Sequence, residues 1–158
     1  MARDNYVTFD NVDGKALIFK NFAGRPGTFN NEGERSFCLV VDEETKDELE
    51  ARGLNVRHRV RQFEDQEIET LYLPIKVNFN SKRPPQINQV SKNGMTQLDE
   101  DTIDVLDWAE IISAKIAINI YNWHYAGKSG YSAYLQELLV EIEDESFASQ
   151  YRREHDQA

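Results

Sequence analysis

Two long runs, Ile111 to Tyr125 and Tyr131 to Ile142, constrain this chain more than any other stretch. Both alternate with a period of two, and the turn-forming Gly127-Lys128-Ser129-Gly130 lies between them, the pattern of an antiparallel β-hairpin. On the first run Ile112, Ala114, Ile116, Ile118 and Ile120 share one face, which is expected to be core. The opposite face carries Lys115, Ala117, Asn119, Tyr121, Trp123 and Tyr125. Three large rings thus line up beside a cation on the side that a one-layer barrel leaves facing out.

Other strands follow from the same logic. Lys15 to Phe22 is rich in branched and aromatic residues, and Arg35 to Val41 is apolar on both faces, as befits a central strand. Leu71, Leu73, Ile75, Val77 and Phe79 alternate with polar positions, while Pro74 predicts an edge or a bulge because it cannot donate to a ladder. A helix is expected after Asp42, which supplies an N-cap, with Gly53 as its stop, and a second short one over Asp101 to Ala109. Between residues 55 and 70 the pattern loses its period, so an extended edge or flexible loop is expected. These elements predict an all-β, β-rich architecture: a five-stranded barrel of OB type, with one or two short helices and a long C-terminal hairpin. Residues 1–142 form the domain on this reading, and residues 143–158 form a polar, acidic tail.

Composition sets the bounds. A chain of 158 residues with 40% hydrophobic content can bury a core without staples, and the lone Cys38 leaves no internal disulfide. With no apolar run long enough to span a bilayer and no leader-like start, a cytoplasmic protein without membrane contact is expected. The formal net charge of −10 argues against binding a polyanion, yet the acids cluster at 42–50, 99–110 and 137–145 while arginines and lysines hold the middle of the chain. A basic groove on an acidic body fits this distribution.

The candidate binding residues follow. Tyr121, Trp123 and Tyr125 offer faces on which unpaired bases stack, with Lys128 close by. The loop between the first two expected strands brings Arg25, Phe29 and Arg35 to the groove rim, while Arg57, Arg59, Lys82 and Arg83 are phosphate-contact candidates. The plainer alternatives are rings covering a second small core and cations on a solvated face. Ala126-Gly127-Lys128-Ser129 imitates the end of a P-loop, but bulky rings precede it and a strand follows, so nucleotide hydrolysis is not expected. The acids around Asp104 and Asp107 suit a cap and the wet side of a helix better than a Mg²⁺ site, and His58, His124 and His155 lack metal-ligand spacing. Neither a catalytic nor a metal site is assigned, and no cofactor is expected.

Asn21-Phe22-Ala23-Gly24, Asn31 to Phe37, Arg83-Pro84-Pro85, Leu98-Asp99-Glu100-Asp101, Leu106-Asp107-Trp108-Ala109, Trp123 and Gly130 to Leu135 together resemble a family of bacteriophage single-stranded DNA-binding proteins common in phages of actinobacteria. The resemblance covers nearly the whole chain. It implies an OB-type fold, binding of single-stranded DNA without strong sequence preference, no cofactor and no enzymatic activity. It also implies work in the host cytoplasm beside phage or host replication and recombination proteins, with homo-oligomers allowed. The alternative is an acidic protein-interaction factor, either a DNA-mimicking inhibitor or a recombinase adaptor.

Overall fold

The computed structural model of the chain describes residues 5–27 and 31–143. In chain order its strands are β1 (Tyr6–Asp13), β2 (Leu17–Asn21), β3 (Arg35–Val41), β4 (Arg57–Phe63), β5 (Gln66–Val77), β6 (Gln86–Ser91), β7 (Gly94–Leu98), β8 (Ile111–Tyr125) and β9 (Lys128–Ile142). One helix, α1 (Glu43–Ala51), and two 3-10 turns, Gly14–Ala16 and Ile103–Asp107, complete the regular structure of the described residues. The fold is all-β, with nine strands among the described residues where five were expected.

All nine strands belong to one sheet, with the path β1-β8-β9-β5-β3-β2, β4 beside β5, and β6 joining β7 to β9. The ladders are antiparallel except where β5 and β6 meet β9. The Gly14–Ala16 turn links the two ends of the path, so the sheet curls on itself into an open barrel of OB type. Inside lie Phe22, Phe37, Ile75, Ile87, Ile116 and Ile118, all fully buried. Ile103 and Leu106 seal the core from the second 3-10 turn, where a short helix was expected.

The hairpin is the spine, with β8 and β9 paired from Ile111 opposite Ile142 to Tyr125 opposite Lys128. Its turn is Ala126-Gly127, one step earlier than expected, and both residues sit at positive φ as a tight two-residue hairpin turn requires. Ile112 was placed in the core, yet it is 46% exposed. The ladder slips between Ile111 and Ser113, so Ile112 is the extra residue of a bulge and its side chain turns outward.

Pro74 does not mark an edge. It lies inside β5, opposite Cys38 of β3, where the other neighbour of β5 changes from β4, last paired at Tyr72, to β9, first paired at Ile75. The missing N–H therefore falls where that side has no ladder partner. The stretch expected to be an edge or loop is a two-stranded ribbon, β4 with the first half of β5. The α1 helix forms as expected, with the Thr45 N–H donating to the Asp42 carboxylate at 2.8 Å and Leu49 buried. The tail assigned to residues 143–158 lies outside the described residues from position 144 onward.

Barrel closure rests on a close approach of two backbones. A Cβ added at Gly14 would stand 1.7 Å from the carbonyl oxygen of Ile111, so no larger residue fits where the β1–β2 corner crosses β8. Gly14→Ala is expected to destabilise the fold by about 3 kcal/mol, the upper range for overpacking. A urea melt checks this through a lowered midpoint, and a midpoint equal to wild type would contradict it.

Candidate nucleic-acid interface

Strand β5 is the axis of the outward face. Leu71, Leu73, Ile75 and Val77 point into the core, so Thr70, Tyr72, Pro74 and Lys76 point out. Register then adds neighbours on the same side. Arg57 lies opposite Tyr72 and Arg59 opposite Thr70, both from β4, while Tyr134 of β9 lies beside Lys76. Across β9, Tyr134 faces Asn119, Ser132 faces Tyr121, and Gly130 faces Trp123. Four strands thus bring Tyr72, Tyr134, Tyr121 and Trp123 onto one surface with Arg57, Arg59 and Lys76. The Tyr121 and Tyr134 rings meet edge to face at 6.0 Å, and the Lys76 ammonium sits 5.8 Å from the Tyr134 ring centre.

Three hollows lie along this surface. One of about 360 Å³ has Trp123, Tyr131 and Leu54 on its walls with Arg57 and Lys76. A second, of about 470 Å³, shares Arg57, Pro74 and Lys76 with the first and reaches Tyr134 and Asn78. Those last two also line a third of about 470 Å³, which adds Tyr121, Lys82 and Arg83. The shared walls make one continuous groove.

Two glycines set the ring positions at one end. A Cβ at Gly130 would lie 2.5 Å from the Trp123 ring, and one at Gly53 would lie 2.5 Å from the Tyr131 ring. Each ring therefore packs against backbone at a glycine, where any side chain would have to displace it.

The electrostatics separate groove cations from structural ones. The ion pairs found among the described residues are Arg25–Asp107, Arg35–Glu100, Lys46–Glu50 and Lys115–Asp10. Arg57, Arg59, Arg61, Lys76, Lys82 and Arg83 take part in none of these, although the chain carries 28 acids against 18 lysines and arginines. Among the described residues lining the three hollows, Glu34 is the acid. A local positive channel thus survives in an acidic protein, because the acids are placed elsewhere.

The residues expected to bind divide into groups. Tyr121, Trp123, Arg57, Lys82 and Arg83 line the groove, and Arg59 stands beside Arg57 on the same face. Tyr125, 80% exposed, and Lys128 cap the hairpin tip beyond it. Arg35 reaches the groove wall, but its guanidinium is turned inward. It donates to the Phe22 carbonyl at 2.8 Å, stands 3.7 Å from Glu100 and lies over the Phe79 ring. Arg25 is anchored away from the three hollows, 3.6 Å from Asp107 and over the Trp108 ring. Phe29 lies outside the described residues.

Asp107 was grouped with the wet side of a helix, yet its side chain is 3% exposed. Its two carboxylate oxygens accept from the Phe22 and Ala23 N–H groups at 2.8 and 3.0 Å, fixing the end of β2. Lys76 and Tyr134 line the groove although neither was among the assigned binding residues, and Tyr72 lies on the same face beside it. The alternation of β5 already turned Tyr72 and Lys76 outward, but only its pairing with β4 and β9 brings them beside the other rings.

A curled β-sheet presenting rings and unpaired cations on one outward face is the architecture of a single-strand nucleic-acid-binding module. Over residues 1–155 the chain matches the family described as "Putative phage ssDNA-binding domain", and it belongs to that family. Solved structures of the single-stranded DNA-binding protein from bacteriophage Enc34 share the fold. Its complex with ssDNA aligns with TM-score 0.54 at 12% identity, covering 92% of this chain and 90% of that one. A second structure of that protein gives 0.51 at 12% identity, covering 92% and 85%. Its C-terminal truncation gives 0.50 at 11%, covering 92% and 90%. A comparison with curated protein sequences finds no match.

Cys38, opposite Pro74 on this outward face, gives a chemical check on how tightly the face is packed. Burial pushes its thiol up to about 11, against a smaller opposing pull from Arg57. Relative to an ordinary value of 9.0, that lowers the thiolate fraction near pH 8 about a hundredfold. Native Cys38 is therefore expected to react with a thiol reagent near pH 8 at about one hundredth of the rate seen in denaturant, and its rate to keep rising with pH until it levels off near pH 11. Equal rates in the two states would contradict this packing.

Proposed function

We propose that this protein coats single-stranded DNA without strong sequence preference, using the groove between Trp123 and Arg83 as its binding channel, and that it does so during phage DNA replication or recombination in the host cytoplasm. The observation that carries the reading is the convergence of outward rings with cations that take part in none of the ion pairs found among the described residues. Every base has a π-face, so stacking on Trp123, Tyr121 and Tyr134 tolerates any sequence, while Arg57, Lys76, Lys82 and Arg83 follow the backbone charge. One of the structural neighbours is itself described in complex with ssDNA, which supports the same ligand here.

On this reading the protein is a binding module rather than an enzyme, and it acts without a cofactor. Asp107, the acid most exposed to suspicion of a metal role, has its oxygens committed to backbone N–H groups and Arg25. Phage or host replication and recombination proteins are proposed as further partners. The acids of the rest of the molecule disfavour a phosphate backbone there, which biases the strand toward the face that carries the cations.

Fluorescence titration of oligo-dT at several salt concentrations tests the proposal. Binding is expected to weaken steeply as salt rises, and Lys76→Ala to lower the log–log salt slope by about 0.7, the share of one phosphate contact on a single strand. Trp123→Ala should weaken binding by about 1–3 kcal/mol while leaving the thermal melt nearly unchanged. A wild type that ignores oligo-dT, or a Trp123→Ala variant that binds as wild type does, would overturn this assignment of the channel.

A further inference from the structure

The ribbon formed by β4 and the first half of β5 has no role in the barrel. All seven residues of β4 are exposed, as are Gln66 to Glu69 of β5. Among the described residues β4 pairs with β5 alone, so the ribbon extends from the core as a two-stranded arm. An arm of seven residues spans about 20 Å.

Its two faces differ in charge. Arg57, Arg59 and Arg61 fall on one side with Tyr72, Thr70 and Ile68 opposite them, and this side continues the outward face of the groove. The reverse side carries His58, Val60 and Gln62 against Leu71, Glu69 and Glu67. A solvated ribbon with no binding duty has no reason to sort arginines to one side and glutamates to the other, and like charges two residues apart repel. Each arginine here keeps its charge unpaired among the described residues.

Phe19 marks where this arm meets the sheet. The β2–β3 ladder slips between Ile18 and Asn21, and Phe19 takes φ 51°, the left-handed region that a bulky residue enters at a cost of about 1–2 kcal/mol. The bulge leaves the ring 51% exposed, with its centre 5.4 Å from that of Tyr72 and the Arg59 guanidinium 5.7 Å away. Strained backbone of this kind clusters at ligand clamps and functional sites. At the far end, Phe63 and Ile68 are exposed on the arginine side.

We infer that the bound strand does not end at the groove but continues onto this arm, with a base stacked on Phe19 and successive phosphates held by Arg57, Arg59 and Arg61. The inference rests on the proposed DNA channel and extends it: the arm is a second contact segment, engaged only by strands long enough to pass beyond the groove. The occupant is a single-stranded polyanion with accessible base faces, which the alternation of ring and guanidinium matches.

Oligo-dT of about 5 and about 16 nucleotides, spanning the usual site sizes for one such fold, separates the two segments. In the full chain, Arg61→Ala is expected to leave affinity for the short strand unchanged. For the long strand it should lower the salt slope by about 0.7, one single-strand phosphate contact. Phe19→Ala should weaken long-strand binding about five- to a hundredfold, the range of one stacked base. Because that substitution also removes a strained residue, a thermal melt accompanies it, and the exposed Arg61 gives an answer independent of folding. Glu67→Gln on the reverse side is the control and should bind both strands as wild type does.

Ribbon variants that match wild type on the long strand would overturn the arm while leaving the groove intact. Equal losses on both strands would also overturn it, by showing that the arm is no separate segment. Failure of wild type to bind either strand would remove the groove and the arm together.

Discussion

The β8–β9 ladder is the interaction on which the rest depends. Its pairing, from Ile111 and Ile142 to Tyr125 and Lys128, puts Ile116, Ile118, Leu135 and Leu138 on the core side, and Tyr121, Trp123 and Tyr134 on the other. One set of hydrogen bonds therefore supports both the hydrophobic core and the ring-bearing face. A slip of one residue would exchange the two. Such slips do occur at Ile112 and beside Gln136, below the ring-bearing end, and there the outward face changes character to Glu137, Leu139 and Glu141. The bulges thus mark where the ring-bearing face stops.

Charge is handled by placement rather than by sum. A protein with net charge −10 holds a strand of phosphates only if its cations are left unpaired where the strand runs. Structural cations such as Arg35 are tied to carboxylates and carbonyls, whereas the groove cations come from β4, β5 and the loop before β6 and take part in none of the ion pairs found among the described residues. The rings are held differently, by glycines at 53 and 130 whose missing side chains let Tyr131 and Trp123 lie against backbone. Preordered rings lose little freedom on stacking, which keeps binding energy available for the ligand.

How much was legible depended on burial. Strands β3, β5 and β8 stood out because a buried face imposes a period of two. Strand β4 did not, since both of its faces are exposed and nothing forces an apolar alternation on Arg57 to Phe63. The β6–β7 hairpin escaped notice for a related reason. Only Ile87 and Leu98 are buried along it, so its one local signal was the Asn93-Gly94 pair at the turn. Arg25 and Arg35 looked like groove cations because charge and position in the chain were all that could be read. Their partners, Asp107 and Glu100, lie more than sixty residues away in sequence.

By itself the sequence determined which way the rings of β8 face, because alternation is local and a strand with isoleucines inside must turn Tyr121 and Trp123 outward. Only the tertiary structure decided which cations meet those rings. Arg57, Lys76, Lys82 and Arg83 converge through the pairing of β5 with β3, β4 and β9, and the register of strands distant in the chain follows from how their buried faces fit together, not from any one strand's pattern.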